Sequence, residues 1–386
     1  MTRILGLETS CDETAAAIVE DGRRCLANVV WSQHALHAAY RGVVPEIASR
    51  AHLERLQPVI QQALDEAHCG LESLDAIAVG NRPGLIGSLI VGVSAAKALA
   101  WSLNRPLVGI DHVQAHLYAP FVSLAERADD AHCDGSNTTV PAASGDDSAA
   151  AADSDDSSRR YPALGLVVSG GHTSMYAITG PSTLHRLGST IDDAAGEAFD
   201  KAAAILEAGY PGGPAIEQLA QAGDPSQHRL PNALLNKTSL DFSFSGLKTA
   251  LLYSVCGRPQ GRGKSATFPH SAAELSQQQR ADLAAAFQKT VVDALIIKLD
   301  RALDQMAQQG EPAKTLIVGG GVSANALLRQ QLETLAENHR LPLHVPPMSL
   351  CLDNAAMIAG LAHHHLEAGH ADDLDLPAMA SAEPAQ

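Results

Sequence analysis

The feature that most constrains this chain is a plan it uses twice. Arg3–Glu8 (R-I-L-G-L-E) reads as a short apolar strand that runs through T-S-C-D-E-T into a second strand over residues 15–20, with Asp21-Gly22 as the turn. After residue 161, A-L-G-L-V-V-S-G-G-H-T-S-M-Y-A-I-T-G repeats strand, bend, strand. Two such openings, each followed by helical patterns and further short strands, predict two α/β lobes. With 386 residues, 46% of them hydrophobic, each lobe has enough apolar side chains for a core.

The bends hold the polar residues. The first offers Thr9, Ser10, Asp12, Glu13 and Thr14, either as an ordinary polar hairpin or as a turn facing phosphate and metal. Of these, Asp12 is the acid to single out. In the second bend, Ser169, Gly170 and Gly171 would expose backbone amides to an anion, since glycine permits close approach. Residues 106–110 read as a buried strand ending at Asp111, and loops just past such ends carry function in α/β proteins. His112 and His116 follow, one helical turn apart on one face. They are either polar residues opening a surface helix or a ligand pair that lacks a carboxylate.

Asp353, in C-L-D-N-A, is either a helix N-cap or that third ligand. Asp200 lies among apolar neighbours, unlike the acids Asp192 and Asp193 that complement a helix dipole. Y-P-G-G-P at 210–214 is a rigid turn opening the helix that bears Glu217. A buried strand at 315–318 runs into G-G-G-V-S-A-N, which suits either tight packing or a nucleotide close to the backbone. Residues 44–70 predict an amphipathic helix interrupted near Pro58, with Leu53 on its apolar stripe and Arg50, His52 and Arg55 exposed. Residues 280–306 predict a long core helix.

The formal charge of −16 is concentrated. Residues 124–160 hold nine acidic and three basic residues, and residues 367–386 hold five acidic and none basic. The remainder carries only about −5, so a nucleic-acid partner is compatible with the composition. The 124–160 stretch, rich in Ala, Asp, Ser and Gly, reads as a disordered acidic insertion. No run of about 18 apolar residues suggests a membrane span, and no charged-then-apolar leader opens the chain. Six scattered cysteines without a C-x-x-C fit a reduced, cytoplasmic protein.

Taken together, E-T-S-C-D-E-T at 8–14, D-H-V-Q-A-H at 111–116, V-S-G-G-H-T at 168–173, G-E-A-F-D-K at 196–201, Y-P-G-G-P at 210–214, G-G-G-V-S-A-N at 319–325 and C-L-D-N-A at 351–355 follow the order of one family. The chain resembles the tRNA N6-adenosine threonylcarbamoyltransferases of the TsaD family, once described as glycoproteases. The resemblance implies an α/β, actin-like and sugar-kinase-like fold (ASKHA), with two RNase H-like lobes and a nucleotide cleft between them. It divides the chain into a first lobe at 1–123 completed by 345–370, the insertion at 124–160, a second lobe at 161–344 and an acidic flexible tail at 371–386.

The implied reaction moves threonylcarbamoyl from threonylcarbamoyl-AMP to the N6 amine of the adenosine next to the anticodon, in tRNAs reading codons that begin with A. Carried over by position, His112, His116 and Asp353 would hold one divalent metal, Fe2+ foremost, with Zn2+ or Mg2+ as options. Val167, Val168, Ser169, Gly170, Gly171, Asp200, Gly213, Glu217 and Asn325 would bind the adenylate. Asp12 and Glu13 would act at the cleft mouth. The implied partners are tRNA, a homologous non-catalytic protein (TsaB) and a small ATPase (TsaE), with no membrane. The chain departs from the usual pattern at Asp111, Gln114 and Ala115 around the histidines and at Leu352 before Asp353. Two other activities are compatible with parts of this pattern. A small-molecule kinase or ATPase uses the same fold. A zinc protease needs Glu directly after the first histidine, where this chain has Val113.

Overall fold

A computed structural model describes residues 1–40, 42–125, 160–231, 238–261 and 267–381. The expected insertion at 124–160 lies, apart from its ends, outside the described residues.

In the first lobe, β1 (Arg3–Glu8), β2 (Glu13–Glu20), β3 (Arg24–Ser32), β4 (Ala76–Arg82), β5 (Leu107–Asp111) and β6 (Ser123–Leu124) form a sheet in the order β5-β4-β1-β2-β3-β6. β1 pairs antiparallel with β2 and parallel with β4. The connections supply α1 (His34–His37), α2 (Pro45–Glu66), α3 (Ile86–Leu103) and α4 (His112–Tyr118). β1 and β2 are buried almost throughout because both faces of the sheet are covered. Leu5, Leu7, Ala16 and Ile18 pack against Leu56 and Val59 of α2 and Val93 of α3. Their sequence neighbours Ile4, Ala15, Ala17 and Val19 face the C-terminal helix through Ala355, Ile358 and Ala359. The alternation is the period-two pleat of a strand.

The second lobe repeats this plan. β7 (Ala163–Val168), β8 (Thr173–Gly180), β9 (Thr183–Ser189), β10 (Thr315–Gly319) and β11 (Leu343–His344) run in the order β11-β10-β7-β8-β9. β7 pairs antiparallel with β8 and parallel with β10, as β1 does with β2 and β4. The helices are α5 (Ala195–Leu206), α6 (Gly212–Ala220), α7 (Ser245–Cys256), α8 (Gln277–Gln308) and α9 (Ala326–His339), followed by α10 (Ala355–Glu367), which returns to the first lobe. The largest core lies here, around Phe199, Phe242, Phe244 and Phe287.

α4 is wedged between the lobes. Ala115 and Tyr118 belong to the first lobe's core, while Val113 and Leu117 pack with Ala163, Val167 and Ile317 of the second sheet. At the end of β10, a Cβ on Gly319 would collide with the His116 carbonyl oxygen. Glycine is required for that approach.

Four expectations need correction. Pro58 does not interrupt α2: Pro58 and Glu54, whose carbonyl it leaves without an N–H partner, are both exposed, so water can solvate the gap. Leu53 is 74% exposed rather than on the packed stripe, and His52 is fully buried rather than exposed. Residues 372–380 are no loose tail. Asp372 donates its N–H to the Leu107 carbonyl, Gly109 donates to the Asp372 carboxylate, and Met379 donates to the Asn81 carbonyl. β5 is an edge strand with open backbone groups, and this segment covers it, burying Leu376 against Gly109. α3, 18 residues with a mean hydropathy of 1.6, packs on β4 and α2.

Candidate functional site

Three separate elements bring His112, His116 and Asp353 together. β5 ends at Asp111, whose Oδ1 accepts the N–H groups of Val113 (2.9 Å) and Gln114 (3.2 Å) and so starts α4 at His112. The departure from the family pattern at Asp111 therefore keeps a capping residue. Burial raises the Asp111 carboxyl above its usual range, against the opposing effect of those two amides and of Arg82 3.6 Å away. At α10 the cap is Asn354, which accepts the Met357 N–H at 3.0 Å, so Asp353 is not spent as a cap. Asn354 also donates to the carbonyls of Leu350 and Leu352, holding the turn that presents Asp353.

The His112 and His116 rings stand 4.6 Å apart at 79°. Asp353 Oδ1 lies 3.5 Å from His112 Nε2 and 3.2 Å from His116 Nε2, and one ligand atom from each residue falls within 4.8 Å of the others. Glu8 Oε2, at the buried end of β1, lies 3.0 Å from His112 Nδ1 and fixes that nitrogen as the donor. Burial opposes charge on His112, but Asp353 and Glu8 outweigh it and push its pKa up to about 9. Burial lowers His116, and burial with the charge of His112 lowers His172 to about 4. Asp353 is held below the usual carboxylate range: desolvation opposes this, and the histidines prevail.

The residues fit a divalent cation on their own evidence. His116 is fully buried, and among the described residues neither ring nitrogen has a hydrogen-bond partner, Nε2 standing 3.2 Å from Asp353 Oδ1 outside hydrogen-bond geometry. Such orphaned groups are rare in folded interiors. A two-histidine, one-carboxylate donor set suits iron or zinc better than magnesium, which prefers oxygen.

Beside this cluster, Asp12 and Glu13 are 7% and 6% exposed. His34 Nε2 lies 3.8 Å from Asp12 and 3.4 Å from Glu13, and the His34 ring meets Tyr210 of the second lobe edge-on at 5.8 Å. Burial, then the charges of Asp353 and Asp12, raises Glu13 well above its usual range. Asp12 and Glu13 are thus side by side at the metal-type cluster, with His34 closing the group.

The residues expected to hold the adenylate line the facing edge of the second lobe. Val167 and Val168 have buried side chains in β7 and offer only their backbone. Past them, Ser169 and His172 close a tight turn, the Ser169 N–H donating to the His172 carbonyl at 2.8 Å. Gly170 and Gly171 have open space where a Cβ would stand. Gly196 and Glu197, opening α5, donate their N–H groups to Ser169 and Gly170. Asp200 accepts the Gly212 N–H at 2.8 Å and is raised by burial, so it orders the start of α6. Gly213 next to it is open on its side-chain side. From α6, Glu217 accepts the Ala326 N–H at 2.8 Å, and Asn325 caps α9 through the Leu328 N–H. A continuous row of contacts thus joins Ser169 to Asn325.

Sequence reasoning singled out none of Glu8, His34 and His172. Glu8 left a signal, a carboxylate ending an otherwise apolar strand. His34 left none, because its role depends on contacts with residues distant in the chain.

Duplicated lobes with a two-histidine, one-aspartate cluster where they meet define an actin-like enzyme fold bearing a metal-type centre. The family model for TsaD, tRNA N6-adenosine threonylcarbamoyltransferase, matches residues 24–148 and 144–360, and the chain belongs to this family. It is 45% identical to the tRNA N6-adenosine threonylcarbamoyltransferase of Trichlorobacter lovleyi over 98% of this chain and 96% of that one. It is also 45% identical to that of Anaeromyxobacter dehalogenans strain 2CP-C, over 98% of each. Among solved structures, T. kodakarensis HypF aligns with a TM-score of 0.56 at 12% identity, over 95% of this chain and 48% of HypF, a likeness of fold.

Proposed function

We propose that the chain transfers threonylcarbamoyl from threonylcarbamoyl-AMP to the N6 amine of the adenosine next to the anticodon, in tRNAs reading codons that begin with A. The observation that carries this reading is the buried His116 ring, without a hydrogen-bond partner among the described residues, gathered with His112 and Asp353 in a chain of this family. His112, His116 and Asp353 would hold a divalent ion, Fe2+ or Zn2+ by donor type. Such an ion would supply Lewis acidity when bound.

The chain's own groups do the rest. The chain at Gly170 and Gly171 has open space where a Cβ would stand, so the donor's phosphate could approach the backbone there. Asp200, Gly213, Glu217 and Asn325 shape the wall that receives the nucleoside. The adenosine amine attacks the carbamoyl carbon, a C–N bond forms, and the C–O bond to phosphate breaks with its electron pair leaving on AMP. Asp12 takes the amine proton, beside a Glu13 carboxyl that burial, then the charges of Asp353 and Asp12, raises well above its usual range. Tight placement matters because the amine's lone pair is delocalised into the ring.

The homologous partner TsaB would dock on α2 and α3, where Leu53, Ile86, Ile90 and Trp101 are 48–74% exposed and α3 is more apolar than its burial explains. TsaE and tRNA would join that assembly. The five described cysteines are all free, which supports a reducing, cytoplasmic setting.

The test is transfer of labelled threonylcarbamoyl from pre-made adenylate to unmodified tRNA, with both partners present. Wild type should transfer. His112→Ala and Asp353→Ala should lose transfer and bound metal, and Asp12→Asn should fold normally while losing at least about a hundredfold in rate. ATP-dependent turnover of a small molecule without tRNA would overturn the reading.

A further inference from the structure

Arg329, on the first turn of α9, spans two turns that serve different parts of the site. Its Nε donates to the Ser323 carbonyl at 2.8 Å. Its Nη2 donates to the Pro346 carbonyl at 2.7 Å and to the Cys351 sulfur at 3.2 Å. Ser323 lies in the Gly321–Ala324 turn, which leads into Asn325, one of the residues expected to hold the adenylate. Pro346 and Cys351 bracket the Met348–Leu350 turn, and Asp353 comes two residues after Cys351. The two turns face each other, since a Cβ on Gly321 would stand 3.2 Å from Leu352 Cδ2. The buried Cys351 thiol in turn reaches the Pro347 carbonyl at 3.5 Å, which closes the second turn on itself.

We propose that Arg329 couples the two halves of the site: by tying the nucleoside-side turn to the turn that presents Asp353, it makes nucleoside binding strengthen metal binding. The inference rests on the adenylate and metal reading proposed above. None of the three acceptors of Arg329 is a carboxylate or one of the metal-type ligands, so its charge is not spent on an ion pair there. A guanidinium carries five N–H groups in a rigid planar fork, so one side chain can hold acceptors on two segments at a fixed spacing. Lysine, a single point donor on a flexible stem, cannot do the same. A ligand that orders the first turn therefore orders the second through the shared guanidinium. The second ligand then meets a turn already held, which is positive coupling and by linkage reciprocal. Arg329 acts through Asp353 and Asn325, so it is a positioning residue.

The experiment measures the zinc affinity of the full chain by competition with a chelator, with and without saturating adenosine. Adenosine has no phosphate that could reach the ion directly, so any effect must pass through the protein. Wild type should bind zinc at least about fivefold more tightly with adenosine present, the lower end of ordinary coupling between sites. Arg329→Met keeps the aliphatic stem and should bring that factor to about one. Arg329→Lys keeps the charge without the fork and should also lose most of it. A merely structural role would weaken zinc binding equally with and without adenosine and leave the factor unchanged. Wild type whose zinc affinity ignores adenosine, or a folded Arg329→Met that keeps the factor, overturns the inference, and binding of AMP then leaves the adenylate reading standing. Wild type that binds neither adenosine nor AMP overturns both. Should Arg329→Met fail to fold, Arg329→Lys decides, and an undiminished factor in it overturns the inference.

Discussion

Glu8 and His112 form a buried carboxylate–imidazole pair, Oε2 to Nδ1 at 3.0 Å, with the other oxygen of Glu8 held by the Ser10 N–H at 2.5 Å. The pair leaves His112 Nε2 turned to Asp353. Such a carboxylate orients a ligating histidine and raises its basicity. Glu8→Ala should therefore weaken metal binding about 10- to 100-fold while the secondary structure is retained. Competition with a chelator checks this, and unchanged affinity would mean that Glu8 serves only packing.

The Asn354 cap has a double effect. Asn354→Ala should cost about 1 kcal/mol of stability through the lost Met357 N–H bond. It should also loosen the turn that presents Asp353, so metal affinity falls along with the thermal midpoint. A variant that loses stability and keeps metal affinity would separate the two effects.

A pH dependence follows from His52. Its Nε2 donates to the Cys11 carbonyl at 3.0 Å, and its Nδ1 accepts from Thr14 at 2.8 Å, so it is neutral in the fold and supports the bend that carries Asp12 and Glu13. Burial lowers its pKa below the ordinary value near 6.5. The unfolded chain then binds the proton more readily, so His52's contribution is present above about pH 6.5 and is lost as pH falls through the folded value. Urea unfolding from about one unit above the ordinary value to about 1.5 units below it should show a shallower pH slope in His52→Gln than in wild type, by at most about 1.4 kcal/mol per unit.

The exposed apolar face can be tested without touching the site. Trp101 is 74% exposed, so Trp101→Glu should change stability by no more than about 0.5 kcal/mol. It should weaken association with the TsaB-type partner by more than about tenfold if this face is the dock. Sedimentation of the mixed proteins gives the answer, and undiminished association would move the interface elsewhere.

The duplicated plan was legible because a strand's pleat and a following bend are written in a few adjacent residues. β1 with β2 and β7 with β8 needed nothing distant to be recognised. The same locality explains the errors. Pro58 reads as a break because its own backbone lacks a donor, but exposure to water decides whether that matters. The acidic residues after 371 read as a loose tail because their packing depends on the open edge of β5, a strand more than 250 residues earlier in the chain. His52 reads as exposed until Cys11 and Thr14 are placed around it.

By itself, the sequence determined the strand and helix periods, the two lobes, the seven motifs and the residue types a metal centre needs. These depend on local backbone preference and on which side chains can donate. Only the tertiary structure decided that Asn354 rather than Asp353 caps α10, that Glu8 fixes the His112 donor, and that His34 closes on Asp12 and Glu13. Each outcome is a matter of which groups are buried together and which find a partner. That is settled by contacts between distant segments, where desolvation makes an unmatched hydrogen bond or charge costly.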